Sequence, residues 1–267
     1  MLHVTAGLDP RGIQRGNYLP SSASAGLNFL SPEIAQFVDG WLERGRQPGS
    51  LVDEDRLRRN MLSSMPLAFN LFVPLQADLA LASAVFSQLT AGRVNEVTEI
   101  IWEFSPGRRD PAFTGDRTAF DVFISFRSPS AASGFIGIEV KYHENLRGDR
   151  AARVSRYVDI AEQMGCFHRT ALSNLHDPPL GQLWRNHLLA GSLQNRGPFT
   201  DSLSAVIYPG INMACRKAAR MYRACLADAS SFATWELEDV AQAIAHNAPS
   251  PWIEAFAARY LDLEPVS

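Results

Sequence analysis

Three side chains near the middle of the chain have types and spacing suited to chemistry. Asp121 lies in the run AFDVFISF (119–126), and Glu139 and Lys141 lie in GFIGIEVKY (134–142). Both runs are short, rich in β-branched and aromatic residues, and bounded by turn residues, so both are expected to be strands. Side chains on a strand alternate faces. Ile136, Ile138, Val140 and Tyr142 then make one apolar stripe, and Phe135, Gly137, Glu139 and Lys141 share the other face. Glu139 and Lys141 fall about 7 Å apart along that face at roughly 3.3 Å per residue. In the earlier run Phe120, Val122, Ile124 and Phe126 are expected to form the apolar stripe, with Asp121, Phe123 and Ser125 opposite. If both stripes cover one core, Asp121 joins Glu139 and Lys141. Two carboxylates and an ammonium are what phosphodiester hydrolysis needs. Carboxylate oxygens suit a hard cation such as magnesium, with manganese as a substitute. The metal polarises the phosphoryl oxygen and lowers the pKa of a bound water. The lysine orients or deprotonates that water, or offsets charge building on the phosphate.

The use of lysine is itself informative. Of 25 basic residues, only Lys141 and Lys217 are lysines. Arginine is a planar fork that stays protonated, whereas lysine is a compact charge whose proton can be tuned. A chain that otherwise uses arginine has a lysine inside the strand that also carries Glu139.

Positioning these groups requires a sheet with helices around it. Residues 94–104 (RVNEVTEIIWEF without its first arginine), 119–126 and 134–142 are three consecutive strands with short connections, which suggests an antiparallel meander. A fourth strand is expected at 202–208. Helices are expected at 31–42, where Ser31-Pro32 is a helix start, at 54–61, and across a long apolar region at 66–89. Further helices are expected at 149–164, 181–193, 211–226, 237–246 and 251–261. The fold class is therefore α/β, a mixed central sheet flanked by helices on both faces. Three parts follow: an N-terminal arm and helix (1–53), a core (54–210), and a C-terminal helical extension packed on the core (211–267).

The aspartate on one strand followed by Glu-x-Lys on the next resembles the PD-(D/E)xK nuclease superfamily. The stretches SSMPLAFNLF, IIWEFSPGR, DRTAFDVFI and GFIGIEVKYHE are similar to an uncharacterised bacterial group within it, described as candidate restriction endonucleases. The resemblance covers residues 56–209 and implies a restriction-endonuclease-like fold. It implies that Asp121 and Glu139 hold the metal together with the main-chain carbonyl of Val140, and that Lys141 is the catalytic lysine. Phe120 stands where the superfamily name has proline, a departure many members share. The resemblance further implies DNA as substrate, a role in bacterial defence or DNA processing, and targeting through a protein subunit or a homodimer. A catalytically silent nucleic-acid-binding module and an RNA nuclease remain open alternatives.

Other residues are secondary candidates. Glu103 shares a face of the first strand with Glu99 and is a possible further carboxylate at the metal. Gln182 opens QLWRNH, and some members of the superfamily place a helical glutamine beside the site. Arg147, Arg150, Arg153 and Arg156 repeat every three residues, a basic stripe suited to phosphate contact or to a solvated face. Arg216, Lys217, Arg220 and Arg223 form a second cluster. His143 is the only histidine near the chemistry.

Bulk properties set the frame. A net charge of -3 over 267 residues hides segregation: residues 141–223 carry 12 basic and 6 acidic side chains, and 224–267 carry 1 and 7. The central excess of cations allows local phosphate binding. No apolar run reaches the roughly 18 residues a membrane helix needs, so no membrane partner is expected. Cys166, Cys215 and Cys225 have no zinc spacing and are expected to be free thiols in a reducing cytoplasm. There is no P-loop, GxGxxG or GxSxG motif, which removes support for nucleotide hydrolysis and serine-hydrolase chemistry.

Overall fold

A computed structural model describes residues 7–21, 26–45, 49–50, 52–146 and 154–262. A two-residue ribbon, β1 (Gly7–Leu8) against β2 (Gln14–Arg15), precedes α1 (Pro32–Gly40). Ser31 caps α1 by accepting the Ile34 N–H at 3.3 Å, and the helix runs into a π-helical turn, Trp41–Gly45. Next come α2 (Glu54–Arg59), α3 (Ser64–Ala77) and α4 (Leu79–Leu89).

The long apolar helical region expected at 66–89 is two helices, bent by 115°. Asp78 accounts for the break, since its carboxylate accepts the Leu81 N–H at 2.9 Å and starts α4. Pro74 loosens the preceding turn because it has no N–H for the carbonyl of Asn70. That carbonyl instead accepts the indole N–H of Trp252 at 2.9 Å.

The sheet strands are β3 (Glu96–Phe104), β4 (Phe120–Arg127), β5 (Ser133–Val140), β6 (Asp201–Tyr208) and β7 (Phe232–Glu236). They lie in that order across one sheet, antiparallel from β3 to β5 and parallel from β5 to β7. The meander and the fourth strand are as expected. The fifth, β7, corrects the picture of a purely helical C-terminal extension: FATWE adds a strand to the central sheet from within 211–267. The remaining helices are α5 (Val154–Met164), α6 (Gly181–Arg196), α7 (Met213–Arg223), α8 (Leu237–Asn247) and α9 (Pro251–Tyr260).

Two cores cover the sheet. Val122, Ile124, Ile136, Ile138 and Val140 pack with residues of α1, α3, α4, α8 and α9 on one face. On the other face Val206 and Tyr208 pack with α5, α6 and α7. A third cluster, Phe120, Phe123 and Phe135 against Leu189 and Leu193 of α6, fills the same side. Phe120 was expected among Val122, Ile124 and Phe126 but belongs to this third cluster. The β4–β5 ladder ends at Val122–Ile138, so Phe120 lies beyond the paired segment, and its ring turns over Gly137. A Cβ at 137 would fall inside that ring, which is why this position needs glycine.

Candidate active site

The end of the β4–β5 ladder is where the site forms. Past Ile138 no carbonyl of β4 meets the Val140 N–H, and the Asp121 carboxylate accepts it instead at 2.7 Å. That bond turns Asp121 onto the C-terminal end of β5. The Lys141 N–H continues the parallel ladder by donating to the Ile207 carbonyl at 2.8 Å. The two backbone contacts fix Asp121 and Lys141 on either side of Glu139. The face that could have been solvated is buried: Glu139 is 4% exposed and Lys141 9%.

Glu139 is held by three donors. Its Oε1 accepts the Lys141 ammonium and the Gln182 amide, the latter at 2.6 Å, and its Oε2 accepts the Asn186 amide at 2.7 Å. Gln182 and Asn186 are four residues apart on α6 and therefore share one helix face. Gln182 was anticipated; Asn186 was not. The signal for it was present in QLWRNH, a second amide one turn after the first, on a helix otherwise buried through Leu183, Trp184, Leu188 and Leu189.

The electrostatics follow from this crowding. Burial first, and then the charge of Glu139, push the Asp121 carboxyl well above the usual carboxylate range, against the pull of Lys141. For Lys141, burial favours the neutral amine, but the Glu139 and Asp121 carboxylates outweigh it and hold the side chain above the ordinary lysine value. It is an ammonium in this arrangement.

Glu103 lies on the wall of the same cavity, a space of about 230 Å³ that also touches Asp121, Glu139, Lys141 and Gln182. Its backbone sits at φ 52°, a left-handed conformation that costs a glutamate energy and is concentrated at functional sites. Its carbonyl accepts from Arg108 at 2.8 Å, and its carboxylate is 3.9 Å from the same guanidinium. Its charge adds to the upward push on Asp121.

Among the described residues no three His, Cys, Asp or Glu side chains form a ready metal cage. The donor set nevertheless fits a hard cation that keeps several waters and takes one or two carboxylates. Asp121 and Glu139 supply such oxygens, Glu103 is beside them, and a cation would relieve the repulsion that drives Asp121 towards protonation. Val140, the third expected ligand, ends β5 with its N–H committed to Asp121.

Arg147, Arg150 and Arg153 lie outside the described residues. Arg156 is not a solvated stripe residue: its guanidinium donates to the carbonyls of Phe113 and Ala112 at 3.1 and 2.9 Å and ties the β3–β4 loop to α5. In the second basic cluster, Lys217, Arg220 and Arg223 are exposed on α7, while Arg216 pairs with Glu236 at 2.6 Å. His143 is exposed and lines a different cavity, with Leu62 and Tyr142. The three cysteines are free, Cys166 and Cys215 buried.

Glu144 is a supporting residue that spacing did not reveal. It accepts the Ser64 N–H at 2.9 Å and pairs with Arg56, so it pins the start of α3 beside the cavity. Burial raises its pKa, but the Ser64 amide and Arg56 more than offset this and keep the carboxyl below its ordinary value.

A family model of the PD-(D/E)XK nuclease superfamily matches residues 2–262, nearly the whole chain. Comparison with curated proteins and with solved structures gives no match. Members of the superfamily are generally phosphodiesterases and typically use divalent metals. With this sheet order and these side chains at the end of β5, the chain belongs to the PD-(D/E)XK nuclease superfamily.

Proposed function

We propose that this protein is a metal-dependent endonuclease that hydrolyses DNA phosphodiester bonds, acting in bacterial defence, restriction or DNA processing in the cytoplasm. The observation that carries the chemistry is the convergence of Asp121, Glu139 and Lys141 on one buried cavity. The biological role and the choice of DNA over RNA rest on the resemblance to the bacterial restriction group.

Asp121, Glu139 and the carbonyl of Val140 would hold the ion. When bound, magnesium or manganese supplies a Lewis acid for the phosphoryl oxygen and a water of lowered pKa. Lys141 offsets the charge that builds on the phosphate, a role its ammonium state suits. Gln182 and Asn186 fix the rotamer of Glu139. The exposed cations of α7 are the described candidates for phosphate contact.

The test is nicking of supercoiled plasmid by the full chain with magnesium or manganese, with and without chelator. Wild type should nick only with metal, and Lys141→Ala, folded as judged by circular dichroism, should not. Nucleic-acid binding with no cleavage by wild type under any metal would instead identify a silent module. Preferential cleavage of RNA in a competition assay would reassign the substrate.

A further inference from the structure

Besides Lys141, the described wall of the cavity that holds Asp121 and Glu139 carries one cation, Arg56. It stands in α2, whose other two arginines are committed elsewhere. Arg58 pairs with Asp39 at 2.8 Å, and Arg59 binds Asp55 and the Leu19 carbonyl. Arg56 instead reaches the start of α3. Its Nε donates to the Ser63 hydroxyl at 2.8 Å, and its Nη2 donates to the Glu144 carboxylate. Among the described residues no acceptor meets its Nη1.

Two anchored nitrogens fix the plane of the guanidinium and leave the third to donate. A fixed, permanently charged fork of this kind suits a phosphate oxygen. The side chain is 36% exposed, so a ligand in the cavity can reach it. An ion pair that open contributes little to stability, so folding alone does not account for a guanidinium at this place.

Size and charge point to the same ligand. The cavity, about 230 Å³, is below the roughly 300–1,000 Å³ of a small-molecule pocket. It suits an ion, a few waters at roughly 30 Å³ each and a phosphate group, rather than a nucleotide. Glu103, Asp121, Glu139 and Glu144 stand at or beside it against Lys141, Arg56 and Arg108. Fully ionised, the group carries one net negative charge. With a divalent ion present the balance is one positive charge, which a single phosphodiester anion cancels. Lys141 and Arg108 face carboxylates expected at the metal, Glu139 and Glu103. Arg56 faces Glu144, which is outside that set and outside the cavity lining.

We propose that Arg56 is the residue that binds the scissile phosphodiester in this cavity, through its Nη1, while Ser63 and Glu144 hold it in place. The proposal rests on the nuclease reading of the same site and adds its substrate contact. The cations of α7 do not line the cavity and would meet phosphates outside it.

The test is fluorescence anisotropy of a labelled short DNA duplex, and of its single strand, binding to the full chain with calcium replacing magnesium over a series of salt concentrations. Losing one phosphate contact lowers the slope of log affinity against log salt by about 0.9 on duplex and about 0.7 on a single strand. Arg56→Met keeps the aliphatic stem and should show that reduction, with binding about tenfold or more weaker. Glu144→Gln keeps the guanidinium and should leave the slope at least as steep as in wild type. Arg56→Met combined with Glu144→Gln preserves net charge and strands no carboxylate. It should show the same reduction, and it carries the test if Arg56→Met alone does not fold. Both single variants weakening binding at an unchanged slope would make Arg56 purely structural and overturn the proposal. Wild type that binds neither duplex nor single strand overturns it as well. Plasmid nicking is scored on the same preparations. Nicking with a slope that Arg56→Met leaves unchanged would remove the contact and keep the nuclease, and a reduced slope without nicking would do the reverse.

Discussion

Replacing Asn186 with leucine removes the amide that donates to Oε2 of Glu139 at 2.7 Å, at a carboxylate only 4% exposed. Leucine has a similar size, so the main loss is one hydrogen bond to a buried charge, worth about 1.5–3 kcal/mol. Lys141 and Gln182 still hold Oε1, which keeps the cost from approaching that of a stranded ion. About 2 kcal/mol is the expected destabilisation, and for a chain of this length that lowers Tm by roughly 4–8 °C. Loosening the orientation of a metal-ligating carboxylate should also reduce nuclease activity by about 10- to 100-fold. The assay is a double-mutant cycle with Glu139→Gln, read by urea denaturation at neutral pH. A coupling energy of at least about 1 kcal/mol is expected, because the amide contributes most when its partner is ionised. A coupling near zero, or an Asn186→Leu protein as stable as wild type, would refute the view that α6 holds the site acid.

Three other perturbations probe different parts of the account. His187 is fully buried between the Tyr222 hydroxyl (3.0 Å) and the Ser231 hydroxyl (2.9 Å), and burial lowers its pKa to about 3. Below about pH 6.5 the unfolded chain binds a proton that the fold does not, so its contribution falls by about 1.4 kcal/mol per pH unit from there down to about pH 3; wild type minus His187→Gln stability, measured by urea denaturation from pH 7 to 4, should follow that slope, and a flat difference would contradict it. Gly137→Ala forces the Phe120 ring aside and should cost about 1–3 kcal/mol in thermal unfolding; a neutral effect would mean that the ring's position is not fixed by that contact. Arg156→Met frees the carbonyls of Ala112 and Phe113 and should speed proteolysis in the β3–β4 loop without changing the salt dependence of DNA binding; a slope reduced by about 0.9 would make Arg156 a phosphate contact after all.

The parts of the fold that were legible in the sequence are those governed by period. Alternation in GFIGIEVKY placed Glu139 and Lys141 together, and three consecutive β-branched or aromatic runs with short connections gave the meander. What escaped was set by contacts distant in sequence or by breaks in period. FATWE is five residues with no alternation to separate it from a helix start, and only pairing with β6 makes it a strand. Asp78 reads equally well inside a helix or as a cap until its carboxylate is seen on the Leu81 N–H. Phe120 obeys alternation in the sequence and still pairs with Phe104 of β3, but past the last β4–β5 pair its ring leaves the Val122 and Ile124 stripe and packs over Gly137. In the site, Asp121, Glu139 and Lys141 were readable because strand geometry fixes their faces. Asn186 carried a signal only through its spacing from Gln182, and Glu144 carried none, because its role depends on how α3 docks against the end of β5.

The central claim is that Asp121 and Glu139 share one hard cation, and the most direct measurement is the anomalous scattering of a crystal soaked in manganese. The account predicts one strong peak at the C-terminal end of β5, at roughly the 2.0–2.2 Å typical of such ions from an oxygen of each carboxylate, and its loss in Asp121→Asn. A peak bound elsewhere, or none at saturating manganese in a well-ordered crystal, would contradict it.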